Sequence, residues 1–264
     1  MESGSRKDSI KTIAVVQCRM GSKRLPGKVM SDISGRPMLW YIVDRLRYSR
    51  LIDEVIVATS TREENLPIVR FCEDNGISSY AGKEEDLVDR FYQTARKHHA
   101  GVVVRITADC PLVDPGICDK VVGVFLESRG KYEYVSNCRP LSTYPHGLDV
   151  EVFSYGLLER LWKEIKDPFR REWFTTTIFE NPQIYDQFCV RNDRDLSSIR
   201  LTVDYPEDLE LVRYVFSKLY SEGSCFFIKD ILRLFAEDPS VFAVNDKYKK
   251  DEAYVDELKK RGLA

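Results

Sequence analysis

The stretch Val15-Val16-Gln17-Cys18-Arg19-Met20-Gly21-Ser22-Lys23-Arg24-Leu25-Pro26-Gly27-Lys28 decides how the rest of the chain is read. Residues 12–17 are short, apolar and β-rich, the pattern of a buried strand, and that strand must end where Arg19 and Gly21 arrive. The cations Arg19, Lys23, Arg24 and Lys28 then follow with no carboxylate between Asp8 and Asp32 to neutralise them. Gly21 and Gly27 leave the backbone beside this positive field open to close approach, a combination that suits a polyphosphate. Arginine offers phosphate oxygens a planar fork and lysine a compact charge, so the loop can bind without covalent participation. It matches neither a Walker A loop nor the dinucleotide Gly-x-Gly-x-x-Gly turn. A solvated basic loop is the plain alternative.

Working outward, Met38, Leu39, Ile42, Val43 and Leu46 recur at helical intervals behind Pro37, which suits a first helical position. Residues 54–59 read as a second buried strand, 65–75 as a helix closed by Gly76, and 78–80 as a short strand. A helix over 87–99 carries Leu87, Phe91 and Ala95 on one stripe and acids at its N-terminus. The most apolar strand, 102–106, runs into Thr107-Ala108-Asp109. This β-α-β-α-β run predicts an α/β fold: a three-layer α/β/α, mostly parallel Rossmann-like sheet that binds ligands outside the carboxyl ends of its strands. Arg19 and Asp109 then share one rim.

Further along, a helix over 115–128 precedes strands at 134–136 and 148–153, which flank an irregular segment that breaks the alternation. Helices are expected at 154–166, capped by Ser154, and at 169–180, ended by Asn181-Pro182. Strands at 187–191 and 199–203 resume the sheet. Pro206, Glu207 and Asp208 open a helix, and 227–236 forms another. The domain spans 12–245, with an elaboration at 137–180, a disordered extension at 1–11 and a charged helix or tail at 246–264.

A chain of 264 residues, 43% hydrophobic and 31% charged with a net charge of -2, describes one large enzyme-like domain and not a nucleic-acid binder. No apolar run approaches the roughly 18 residues of a membrane span, and the first residues lack a signal-peptide core, so a cytoplasmic protein is expected. The cysteines at 18, 72, 110, 118, 138, 189 and 225 form no Cys-x-x-Cys pair, and with His98, His99 and His146 they show no zinc-ligand spacing.

Four motifs carry a resemblance to a known family. Arg19-x-Gly21-Ser22-x-Arg24-Leu25-Pro26-x-Lys28 resembles the signature of the cytidylyltransferases that make CMP-activated sugar acids, including the acylneuraminate and 3-deoxy-manno-octulosonate enzymes. The likeness is greatest to the spore coat polysaccharide biosynthesis protein F branch. It continues through the motifs at 104–112 (Val-Arg-Ile-Thr-Ala-Asp-Cys-Pro-Leu), 144–151 (Tyr-Pro-His-Gly-Leu-Asp-Val-Glu) and 202–209 (Thr-Val-Asp-Tyr-Pro-Glu-Asp-Leu). The resemblance implies a sheet of the nucleotide-diphospho-sugar transferase type, with CTP as donor, Mg²⁺ as cofactor, a small anionic acceptor and a homodimer built around 137–180. That segment offers Tyr144, Phe153, Trp162, Phe169, Trp173 and Phe174 to an apolar interface or to a second core layer.

Within this likeness, Arg19 and Lys28 are the catalytic residues and contact the triphosphate, Gln17, Gly21, Ser22 and Arg24 join them in binding CTP, with Ser22 and Arg24 shaping the loop, and Arg105 and Thr107 bind it toward the pyrimidine and ribose. Arg105 has the alternative of pairing with an acid. Asp109 and Asp204 are the metal ligands, since Mg²⁺ takes few protein oxygens and completes its shell from phosphates. Glu207 and Asp208 are read as charging a helix N-terminus. Tyr144, His146, Asp149, Glu151, Arg170 and Arg171 are assigned to the acceptor. His146 stands where relatives commonly have Asp, and Trp173 where they commonly have His, so both changes fall on the acceptor side. Two other readings remain at this point: a metal-dependent glycosyltransferase using Asp149-x-Glu151, and a catalytically silent nucleotide-binding module.

Overall fold

The structure is a computed structural model that describes residues 10–248 and 252–262. Residues 1–9 of the expected N-terminal extension lie outside the described residues. β1 (Thr12–Gln17) leads through the basic loop and a small hairpin, β2 (Asp32–Ile33) and β3 (Arg36–Pro37), into α1 (Met38–Leu46). Then β4 (Glu54–Ser60), α2 (Leu66–Asp74), β5 (Ser78–Gly82), α3 (Leu87–Lys97), β6 (Val102–Thr107) and α4 (Pro115–Glu127) continue the expected alternation. β7 (Tyr134–Ser136), β8 (Glu151–Ser154), α5 (Tyr155–Glu164), α6 (Pro168–Glu172), α7 (Phe174–Phe179) and β9 (Gln187–Cys189) follow. The chain ends with α8 (Pro206–Leu219), α9 (Ile228–Glu237), α10 (Pro239–Phe242) and α11 (Glu252–Lys260).

The sheet has the order β5-β4-β1-β6-β8-β7-β9. β1 is flanked in parallel by β4 and β6, while β8 runs antiparallel to both β6 and β7. Because side chains alternate across a strand, Ala14, Val16, Val104 and Ile106 join one core layer with α1, α4 and α8. Ile13, Val15 and Val103 join the other, where Phe91, Phe153, Leu158 and Phe174 fill the space beneath α3, α5 and α7. Three layers result, as the buried apolar runs of a parallel sheet require.

Four local readings are corrected. Pro37 ends β3, with extended backbone at ψ 147°, and the helix starts one residue later. The strand expected from 148 begins only at Glu151, because the Asn137 side chain occupies the Leu148 carbonyl and the Val150 N–H. The helix expected over 169–180 is divided at Trp173 (φ -109°, ψ 39°), whose ring packs on Tyr254 at 5.0 Å between centroids. Residues 199–203 make no sheet strand. Their extended backbone makes one parallel bridge to His146 and then bonds the Asp109 carbonyl from the Val203 N–H at 2.8 Å. The segment is thereby strung between two rim loops.

Candidate active site

Gly27 adopts a left-handed conformation (φ 72°), which turns the chain sharply enough for the 3₁₀ turn Lys28–Met30 to drive Lys28 inward. Only 8% of Lys28 is exposed. Its ammonium donates to the Val203 carbonyl at 2.6 Å and to Asp204 Oδ1 at 2.9 Å, and lies 3.6 Å from Asp109 Oδ2. Burial alone would depress the ammonium, but Asp109 and Asp204 outweigh it and raise the pKa above the ordinary lysine value. One buried cation therefore sits between the two carboxylates that the family resemblance pairs.

Asp204 is held from both sides. Oδ1 accepts from Lys28 and lies 2.6 Å from an Arg24 nitrogen, while Oδ2 accepts from Arg200 at 3.0 Å. A carboxylate offers about four lone-pair sites, so about one remains. Asp109 is the more open partner, with 31% of its side chain exposed. Burial pushes its pKa up, but Lys28 and hydrogen bonds from Thr107 and Cys110 prevail and hold it at about 2. The Cys110 thiol, pushed well up by burial, stays neutral and is 3.4 Å from Asp109 Oδ1. Asp109 is thus ionised near neutrality, and both acids keep oxygen sites open to a hard cation. Among the described residues, no group of three or more His, Cys, Asp or Glu side chains forms a ready-made metal cage.

Arg200 and Asp208 are residues that the sequence reading missed as a unit. The buried Arg200 guanidinium meets Asp208 with two parallel bonds of 2.9 Å while reaching Asp204 with the same Nη2. Asp208 also accepts the N–H groups of Asp204 (2.8 Å) and Tyr205 (3.0 Å), so it caps α8 as expected and anchors the site as well. The spacing Arg200-x₃-Asp204-x₃-Asp208 was the available signal. Glu207, by contrast, stays at the helix N-terminus, bound to Lys247 at 2.8 Å.

At the other end of the loop, Arg19 keeps half of its side chain exposed and lies 3.4 Å from both Glu84 and Glu172. Asn65, fully buried, accepts the Met20 N–H at 2.7 Å and donates to Ser60, which fixes the loop's entry. Ser22 Oγ accepts the Leu25 N–H at 3.3 Å, and a Cβ added at Gly21 would come within 3.1 Å of Glu64. Gln17 accepts from Arg105 Nε at 2.9 Å, and Arg105 also pairs with Glu151 across the β6–β8 ladder. The acid alternative for Arg105 is therefore realised. Thr107 ends β6 beside Cys110, 3.1 Å away.

A family model for cytidylyltransferases matches residues 13–231, nearly the whole of this architecture. The chain belongs to the cytidylyltransferase family. It is 32% identical over 243 residues to an uncharacterized protein of Methanocaldococcus jannaschii, covering 91% of this chain and 97% of that one. It is 30% identical over 212 residues to the spore coat polysaccharide biosynthesis protein SpsF of Bacillus subtilis, covering 77% and 85%. A solved cytidylyltransferase of Leptospira borgpetersenii superposes with a TM-score of 0.84 at 31% identity, covering 91% of this chain and 99% of that one.

In this cytidylyltransferase the residues read as acceptor-binding do not gather into one cluster. His146 Nδ1 lies 3.3 Å from Arg200 Nη1. A guanidinium can only donate, so Nδ1 accepts and the proton sits on Nε2, 3.9 Å from Asp149. Gly147 (φ 106°) lets this turn press on the 199–203 segment: a Cβ there would lie 2.5 Å from the Thr202 nitrogen. Glu151 is 5% exposed and accepts from Tyr134 at 2.5 Å as well as from Arg105, so Asp149-x-Glu151 cannot act as a paired metal motif. Tyr144 is buried in the core. Arg170 pairs with Glu180, and Arg171 binds Asp86 at 2.9 Å and two carbonyls of the α5 end, so both arginines hold helices in place. Phe153, Phe169 and Phe174 are buried within the chain, and Trp162 stacks on Tyr92. The second-layer reading holds for them.

Proposed function

We propose that this cytidylyltransferase is Mg²⁺-dependent and transfers CMP from CTP to a small anionic acceptor, a sugar acid or related hydroxy- or phospho-acid, in the cytoplasm. An acceptor oxygen forms the new bond to the α-phosphorus as the bond to pyrophosphate breaks. The observation that carries the reading is the placement of Lys28 between Asp109 and Asp204 at the carboxyl end of the sheet. There Arg24, Lys28 and Arg200 are already balanced by Asp109, Asp204 and Asp208. An arriving triphosphate of about four negative charges lacks compensation unless a divalent cation comes with it.

Asp109 and Asp204 would hold that ion, which when bound neutralises phosphate charge. Lys28 and Arg19 are the protein's own stabilisers of charge developing on the phosphoryl oxygens, Lys28 from a fixed buried position and Arg19 after release from Glu84 and Glu172. The Nε2 proton of His146 favours an anionic acceptor, and the likeness to a polysaccharide biosynthesis protein supports a sugar-derived one. Self-association belongs to the same reading. Exposed Leu141, Ile184 and Phe188 lie along or beside edge strand β9, and light scattering that shows only monomer at assay concentration would remove it.

The decisive experiment is an acceptor panel with CTP, with and without Mg²⁺, followed by pyrophosphate release. Turnover with sugar acids or phospho-acids that stops on chelation is expected. Turnover with neutral polyols alone would overturn the acceptor class, and turnover indifferent to chelation would overturn the metal.

A further inference from the structure

The C-terminal segment after α10 returns to the site. Asn245, 1% exposed, donates to Asp208 Oδ1 at 2.8 Å and to the Arg200 carbonyl at 3.3 Å. Three residues on, the Tyr248 ring stacks on Tyr205 at 3.7 Å between centroids and 6° between planes. The Tyr248 hydroxyl and Lys247 hold the two oxygens of Glu207 at 3.0 and 2.8 Å. Two chains of contact therefore converge on one carboxylate. One runs from Asn245 through Asp208 and Arg200 to Asp204 Oδ2. The other runs from Tyr248 through Tyr205, whose ring lies 5.1 Å from the Arg24 guanidinium, to Asp204 Oδ1.

We infer that residues 245–248 form a strap whose Asn245 and Tyr248 are positioning residues for Asp204. The inference rests on Asp204 being a metal ligand. Groups that orient a ligand are ordinarily hydrogen-bonded or packed from behind, and their removal weakens metal binding about tenfold or more without touching the metal. A strap serving only as cover would bury apolar side chains against α8. This one instead places a buried amide on an ionic network and an aromatic ring under an arginine-bearing tyrosine.

The test uses the full chain and calorimetric titration with CTP, once with Mg²⁺ and once with chelator. The ratio of the two dissociation constants reads the metal's contribution apart from turnover. Asn245→Ala and Tyr248→Ala should each cut that ratio about tenfold, with metal-free CTP affinity changed less than about twofold. Tyr248→Phe, which keeps the stack, should restore the ratio. Asp204→Asn, run in parallel, should bring it close to one. If Asp204→Asn leaves the ratio intact, the metal reading falls and the strap's role falls with it. If that variant loses the ratio but neither alanine variant does, the strap inference alone is overturned. Should Asn245→Ala fail to fold by circular dichroism, Tyr248→Ala, which removes a half-buried ring, decides the question.

Discussion

The two ends of the parallel sheet each hold a carboxylate whose pKa is lowered to about 2, yet among the described residues only the carboxyl end gathers a candidate site around it. At the amino end, Glu54 accepts from Lys11, Ser78 and His98 Nδ1 at 2.8 to 3.0 Å, and these bonds outweigh the burial that would raise it. At the carboxyl end, Lys28 does the same for Asp109. The difference lies in what surrounds the acid. Glu54 is satisfied by residues that begin or flank the strands, and it stands alone. Asp109 meets Lys28, which also pairs with Asp204, and Arg24 and Arg200 hold Asp204 in turn, so three loops far apart in sequence converge. A depressed pKa marks an ion pair, and convergence of several loops marks a site.

Neutralising one acid at each end breaks or sharpens this contrast. Asp109→Asn should lower kcat/KM by about a thousandfold with the fold intact, since its partner Lys28 retains Asp204. Near wild-type turnover in that variant would erase the distinction. Arg19→Ala should cost about a hundredfold in kcat/KM with stability unchanged, because its exposed pairs contribute about 0–1 kcal/mol. A large loss of stability instead would make Arg19 part of the scaffold.

Between the extremes lies the turn that carries His146. Gly147→Ala combines a left-handed backbone with a backbone collision at 2.5 Å, and should destabilise the fold by about 2–3 kcal/mol in urea titrations. An unchanged midpoint would show that the 199–203 segment yields freely.

The smallest effect is expected at Glu54. Glu54→Gln should leave turnover unchanged and remove about 1 kcal/mol at neutral pH. Because the folded Glu54 and Asp109 values lie below those of the unfolded chain, near 4, their contribution is complete above that range. It is lost as pH falls toward 2. Stability measured at pH 7, 4 and 3 should therefore decline less steeply in Glu54→Gln than in the wild type, and parallel declines would refute the pairing.

Much of this was legible in the chain itself. The β1, β4 and β6 runs, the end of β1 ahead of Arg19 and Gly21, and Pro206 at the head of α8 follow from local periodicity and from glycine and proline backbone limits, which act within a few residues. Lys28 was legible as a cation of the loop after β1, while the pairing of Asp109 with Asp204 came from the family resemblance and not from local pattern. What only the tertiary structure decided concerns partners. Arg105 faces Glu151 because β8 runs antiparallel to β6, and direction of pairing is not written in either strand. Residues 199–203 have strand-like composition, but their hydrogen bonds go to His146 and Asp109, which a one-dimensional pattern does not reveal. Arg200, Asp208, Asn65 and Asn245 read as ordinary polar residues until folding removes water from them. The requirement that each buried polar group find a partner then turns them into the frame of the site.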